Sequence, residues 1–184
     1  MAVVTQSVQI EPYFDMELFL STSQETRIGG ELMEKLSACW DAWIPHAKAM
    51  QITVDDAAYL LVWLEKEVED AVDEAWDKTP SDAFAYNALA QVICMTMVHA
   101  ALPMVEEAGC APAPAPSACL VEGLEKAGVP YADGVGPTLS RRYAVVTHHP
   151  FRGGCEVCSL REQCPKGSGC GSEAASVTLP GYDG

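Results

Sequence analysis

Residues 83–105, AFAYNALAQVICMTMVHAALPMV, run without one charged side chain. A stretch of that length either crosses a bilayer or is enclosed by the rest of the chain. Asn87, Gln91, Thr96 and His99 lie within it, and each would need a hydrogen-bond partner in lipid, so the segment reads as a buried helix. The remainder must then surround it. With 184 residues, 49% of them apolar, the chain supports one main body with a proper core.

The flanking signals agree with a helix. In KTPSD, Thr79 fits an N-cap and Pro80 the first helical position, where its missing N–H costs nothing. The helix should run to about Glu107, kink at Pro103 and stop at Gly109. Upstream, Leu32, Leu36, Cys39, Trp40 and Trp43 recur at helical spacing until Pro45. ITVDD then reads as a helix start, with Thr53 as N-cap and Asp55 and Asp56 in the first turn. The segment it opens, AAYLLVWLEKEVEDAVDEAW, carries a stripe of Leu61, Leu64, Val68, Ala71, Val72 and Ala75, with Glu65, Glu67, Glu69, Asp70, Asp73 and Glu74 mostly off it.

Beyond Gly109, CAPAPAPSAC has alternating prolines that favour an extended linker and forbid a helix interior. Ser117 can cap a short helix ended by Gly128, and PTLSRRYAVVTHH reads as one more. Strand-like alternation is weak throughout. The expected architecture is therefore all-α: an antiparallel helical bundle carrying a C-terminal cysteine-rich metal-binding loop. Its expected parts are an acidic bundle over 1–109, a Pro/Ala linker over 110–117, short helices and the cysteine loop over 118–170, and a loose tail over 171–184.

Charge narrows the functional classes. The formal net charge is −15, and residues 1–128 carry all of that excess, with six Lys/Arg against 21 Asp/Glu. Such a body opposes nucleic-acid binding, which is dominated by cationic contacts to phosphate, and it equally disfavours an anionic membrane surface. Residues 129–170 are the basic exception at +2. There Arg141, Arg142, Arg152, Arg161 and Lys166 could offset the negative charge of a thiolate-ligated metal. The opening MAVVTQSVQIEPYF has no basic start followed by an apolar run, so a cytoplasmic location is expected.

Several chemistries lack their residues. A di-iron bundle needs Glu-x-x-His pairs, and none occurs. Neither a phosphate-cradling P-loop nor a Gly-x-Ser-x-Gly elbow is present. Gly134–Val135–Gly136 could bind an anion through backbone N–H groups but is only three residues long. His46, His99, Cys39, Cys94, Met95, Met97 and Met104 sit among apolar residues and read as core. No catalytic residue is assigned, and the chain is not read as an enzyme.

Chemistry concentrates in CEVCSLREQCPKGSGC, residues 155–170. Its spacing is Cys155-x2-Cys158-x5-Cys164-x5-Cys170, preceded by His148 and His149. Disulfides suit secreted mini-proteins, which this chain does not resemble. A thioredoxin-like pair needs a strand–loop–helix context that the glycines of FRGG do not supply. Structural zinc usually takes two close pairs, and only one is present, so zinc is the alternative. Cys-x-x-Cys suits two corners of a small inorganic core, and five further residues allow a turn to a third. A [4Fe-4S] cluster held by Cys155, Cys158, Cys164 and Cys170 is the leading reading. His148 is an alternative fourth ligand, and Cys110 or Cys119, delivered by the proline linker, is another.

The segment HHPFRGGCEVCSLREQCPKG resembles the iron–sulfur loop of the endonuclease III and MutY group of DNA glycosylases, Cys-x6-Cys-x2-Cys-x5-Cys, with His148 where their first cysteine would stand. Its Cys-x2-Cys-x5-Cys-Pro ending is similar to that of RecB-like nucleases and of radical SAM auxiliary-cluster domains. These likenesses imply a cluster and no more, because the glycosylase Lys and Asp and the nuclease Asp and Glu-x-Lys have no counterparts here. In size and layout the chain resembles NifQ-type molybdenum-delivery proteins, which end in Cys-x4-Cys-x2-Cys-x5-Cys; Pro150 stands at the first of those positions. That resemblance implies a cluster that accepts or hands on metal. The functional expectation is a cluster protein acting in electron transfer or metallocluster assembly with a protein partner. The alternative is an adaptor whose zinc or cluster only staples the loop while the acidic helices bind a protein.

Overall fold

The computed structural model describes residues 2–55 and 57–164. Strand β1 (Val3–Ser7) is followed by helices α1 (Met16–Ser23) and α2 (Gly30–Trp43). Next come strands β2 (Ala47–Val54) and β3 (Ala57–Leu64), then helices α3 (Lys66–Lys78), α4 (Pro80–Ala101), α5 (Pro103–Ala108) and α6 (Ala118–Lys126). Strand β4 (Ala144–His148) precedes two short 3-10 turns, Cys155–Val157 and Arg161–Gln163. The four strands form one antiparallel sheet in the order β1-β2-β3-β4.

The sheet overturns the all-α helical bundle: the fold is mixed α and β. The correction centres on residues 47–64, where a hairpin stands in place of a helix start. Val54 pairs with Ala57, and Asp55 adopts the left-handed conformation (φ 47°) that short polar side chains tolerate at tight turns. Thr53 is thus a strand residue and caps nothing. The periodicity misleads because β3 is covered on both faces. Leu60, Val62 and Leu64 pack into one hydrophobic cluster, while Leu61, Tyr59 and Trp63 pack into another. A strand buried on both sides shows an unbroken apolar run, which fits a three- or four-residue step as readily as a two-residue one. The helical stripe does exist in α3, where Val68, Val72 and Ala75 are buried.

Residues 137–149 likewise give β4 instead of a helix, because the run Ala144–His148 adds to the free edge of β3 in the register Trp63↔Ala144 to Tyr59↔His148. This strand, from the far side of the proline linker, completes the sheet.

One face of the sheet carries the large core, in which α4 is central. Leu89, Val92, Ile93 and Val98 are completely buried. Among the described residues α4 is the one helix long and apolar enough to span a bilayer, and 67% of its apolar window is buried within the protein. Two of its polar residues are bonded: Asn87 Oδ1 accepts from the Tyr143 hydroxyl (2.9 Å), and Thr96 Oγ1 donates to Val92 O (2.9 Å), whereas His99 Nδ1 is buried without a partner. The punctuation falls where expected, with Thr79 at the N-cap position though its side chain makes no capping bond, Pro80 first in the helix, a break at Leu102 before Pro103, and Gly109 (φ 66°) closing α5.

The other face is covered by α6, whose Leu120 and Leu124 pack on Ile52, Leu61 and Val146. Each contributes roughly 2 kcal/mol by leaving water. Ser117 Oγ accepts from Leu120 N (3.2 Å), the expected cap. Residues 110–117 therefore carry the chain from the helical layer, where Ala111 packs, past β4 to the α6 layer. This extended strap positions the candidate site.

Candidate metal centre

The strap and the cysteine loop are tied together by their backbones. Ser159 N donates to Ala113 O (2.9 Å) and Ser159 Oγ to Pro114 O (3.2 Å). From the sheet, the buried Thr147 Oγ1 donates to Pro112 O (2.9 Å). Prolines leave the strap short of N–H donors, but their carbonyls are strong acceptors, and three of the strap's carbonyls are used in this way. Thr147→Val keeps the shape and strands the Pro112 carbonyl, so it should cost about 1–2 kcal/mol in urea unfolding. An unchanged midpoint would show that the strap does not depend on this bond.

The loop itself is two tight turns in series. Cys158 N donates to Cys155 O (3.3 Å), Arg161 N to Cys158 O (3.2 Å) and Cys164 N to Arg161 O (3.4 Å). Each of the three cysteines thus sits at a turn boundary. The approach to the loop requires glycine at 153: its φ is 49°, and a Cβ there would lie 2.2 Å from Glu156 Oε1. Glu156 in turn accepts from Gly154 N (3.0 Å), which holds its carboxyl below the usual range.

Across from this loop stands the end of α5. A cavity of about 270 Å³ lies between them, lined by Ala108, Gly109, Cys110 and Pro112 on one side and by Gly154, Cys155, Cys158, Arg161 and Cys164 on the other. Cys110 and Cys155 are exposed, and Cys158 and Cys164 are half-buried. The volume is roughly nine times the ~30 Å³ that one liquid water occupies, far more than a single ion needs. A zinc ion bound at ~2.3 Å by four thiolates would hold its sulfurs about 3.8 Å apart. Among the described residues, only His46, Glu65 and Glu67 form a group of three or more potential ligands whose atoms lie within 4.8 Å of one another. No three of the described cysteines form such a group.

The expected ligands are distributed unevenly. Cys155, Cys158 and Cys164 face one cavity, whereas Cys170 lies outside the described residues, as does Lys166. His148 is not among the cavity's lining residues. Its ring instead packs at a tilt against Tyr59 (5.6 Å between centroids, 43° between planes), with Nε2 buried and unbonded. Burial and the neighbouring Arg152 push the imidazole below its ordinary range, with hydrogen bonding to the Val157 backbone opposing them. Cys119 packs in the α6 layer.

Of the arginines expected to balance a cluster, only Arg161 reaches the cavity. Arg142 is spent on Asp73 (2.7 and 3.1 Å), which holds that carboxyl low, and Arg141 lies 3.8 Å from Glu69. The Gly134–Gly136 turn is filled from within: Asp133 Oδ1 accepts from Val135 N (3.0 Å) and Gly136 N (2.9 Å).

Sequence reasoning placed His46 in the core and Glu65 and Glu67 on a solvated face, and so missed their grouping. His46 Nδ1 lies 3.0 Å from Glu65 Oε2 and 3.9 Å from Glu67 Oε2. Lys48 Nζ lies 3.6 Å from the same Glu65 oxygen, so a cation already serves this carboxylate. The larger cavity beside it, about 510 Å³, is lined by Ile44, Lys48, Met50, Trp63 and Glu65 among others. Its charged groups are occupied with one another or with Pro45 O, to which Lys48 donates (2.7 Å). The core reading also fails for Met104, which is exposed, and holds for Met97 and Cys94, which are buried.

No protein-family model matches the chain, and neither a curated protein nor a solved structure matches it.

Proposed function

We propose that this protein binds one [4Fe-4S] cluster through Cys155, Cys158 and Cys164 and acts in electron transfer or metallocluster handling with a protein partner. The observation that carries this reading is that the three cysteines share one cavity large enough for a multi-atom inorganic core. The loop holds one close Cys-x-x-Cys pair where structural zinc usually takes two, which favours a cluster over zinc. Arg161 at the cavity wall supplies positive charge where a thiolate-ligated cluster is negative. A cluster of this kind suits a reducing compartment such as the cytoplasm.

Anaerobic purification with iron, sulfide and zinc analysis tests the reading. The expected result is a brown protein with iron and acid-labile sulfide in equal amounts, about four of each per chain. Cys158→Ala should then lose most of both. A colourless protein holding one zinc and no sulfide would sink the proposal.

A second reading, a cluster that only staples the loop, is favoured by the Ser159 bonds to the strap. A redox titration separates the two: reversible cycling supports electron transfer, and breakdown on reduction supports the staple.

A further inference from the structure

We infer that Cys110 is the fourth thiolate, so that the cluster is closed by one residue from the strap and three from the cysteine loop. This rests on the cluster reading above and adds to it a ligand that no spacing within the cysteine loop identifies. Cys110 is 45 positions before Cys155, yet both line the same cavity. Three independent features bring it there. Gly109, left-handed at φ 66°, ends α5 and turns the chain toward the loop. Thr147 fixes Pro112 from the sheet, and Ser159, one residue after Cys158, fixes Ala113 and Pro114 from the loop. Cys110 is thus held two residues from an anchored carbonyl, lining the same cavity as the Cys-x-x-Cys pair.

Two consequences follow. Four thiolates leave no iron open for exchange, which favours electron transfer or structure over metal delivery. The cluster also becomes a cross-link between the strap and the loop, supporting the same junction as the Ser159 bonds. Losing the iron should therefore loosen the strap, and the amide of Ser159, which donates to Ala113 O, reports this directly.

The test uses anaerobically reconstituted full-length protein, with iron and sulfide content and electron paramagnetic resonance as readouts. Cys110→Ala should drop from four irons to three and, after one-electron oxidation with ferricyanide, show a [3Fe-4S]+ signal, while Cys170→Ala and His148→Ala keep wild-type content. Adding a small thiol to Cys110→Ala should restore the fourth iron, and far-ultraviolet circular dichroism should match wild type, which separates ligand loss from misfolding. In the wild type, chelating the iron should speed Ser159 amide exchange about tenfold.

Retention of four irons in Cys110→Ala overturns the assignment and leaves the cluster proposal intact. Loss of iron in Cys170→Ala with Cys110→Ala unaffected would name Cys170 instead. Unchanged Ser159 exchange overturns the cross-link. A wild type that takes up neither iron nor sulfide removes the cluster reading and this inference together.

Discussion

Replacing Gly123 with leucine should destabilise the protein by about 3 kcal/mol, at the upper end of what overpacking costs. Gly123 is where α6 meets β2. A Cβ placed there would lie 2.4 Å from Ile52 Cγ2 and 3.3 Å from Val3 Cγ1. Ile52 is completely buried and β-branched, so its methyl has no room to swing away. The helix must lift, and Leu120 and Leu124 lose part of their burial as it does. Urea unfolding should show the loss in the midpoint, and the β1 amides should exchange faster, because β1 is an edge strand and packs under α6. Gly30→Ala is the control: nothing lies within 4 Å of its Cβ position, and it begins a helix. It should be neutral or gain about 0.5 kcal/mol from reduced freedom of the unfolded chain. A tolerated Gly123→Leu would mean that α6 does not seat on the sheet as described.

Cys94 should make the fold sensitive to alkali. It is buried in the large core, with Sγ 3.5 Å from the Tyr143 carbonyl to which it donates. Burial pushes its thiol up from 9.0 to about 12. The unfolded chain therefore releases this proton at lower pH than the folded one does. Stability is fully present below pH 9 and falls as pH rises from there toward 12, by on the order of 4 kcal/mol over the whole range. Between pH 9 and 10.5 the loss is about 2 kcal/mol. Burial raises Tyr86, Tyr131 and Tyr143 as well, in the same direction, so the effect is isolated by comparison with Cys94→Ala. The gap in stability between wild type and that variant should shrink by this amount across the window. A gap that stays constant would mean that Cys94 ionises in the folded protein. Iodoacetamide at pH 8 should leave Cys94 unmodified while exposed Cys155 in iron-free protein reacts, since the thiolate is the nucleophile.

The readable parts of the fold share a physical character. Thr79–Pro80, Pro103, Gly109, Ser117 and Gly128 act through their own backbone or the next turn, so their roles follow from identity and position. The uncharged run at 83–105 reads as a buried helix because its apolar side chains favour leaving water while Asn87, Gln91, Thr96 and His99 would each lack a partner in lipid. Misreading was confined to segments whose state depends on what covers them. Residues 57–64 suit a helix or a doubly buried strand equally well, and the choice came from the register with 47–54 and from β4, which arrives eighty residues later. His46, Glu65 and Glu67 could not be grouped in advance either, since the hairpin between 47 and 64 is what returns Glu65 to His46.

The candidate metal centre divides along the same line. Spacing alone selects Cys155, Cys158, Cys164 and Cys170, the last of them outside the described residues, because two residues and then five are enough for tight turns to gather thiolates locally. Composition likewise selects a central helix and an acidic body. Cys110 is different: it joins the group through Gly109, through Thr147 on a sheet strand, and through Ser159 on the loop. Those bonds link parts of the chain far apart in sequence. Local chemistry can be read from neighbouring residues, whereas a shared cavity depends on how β4 and the proline strap pack, and that is decided only when the whole chain has closed around α4.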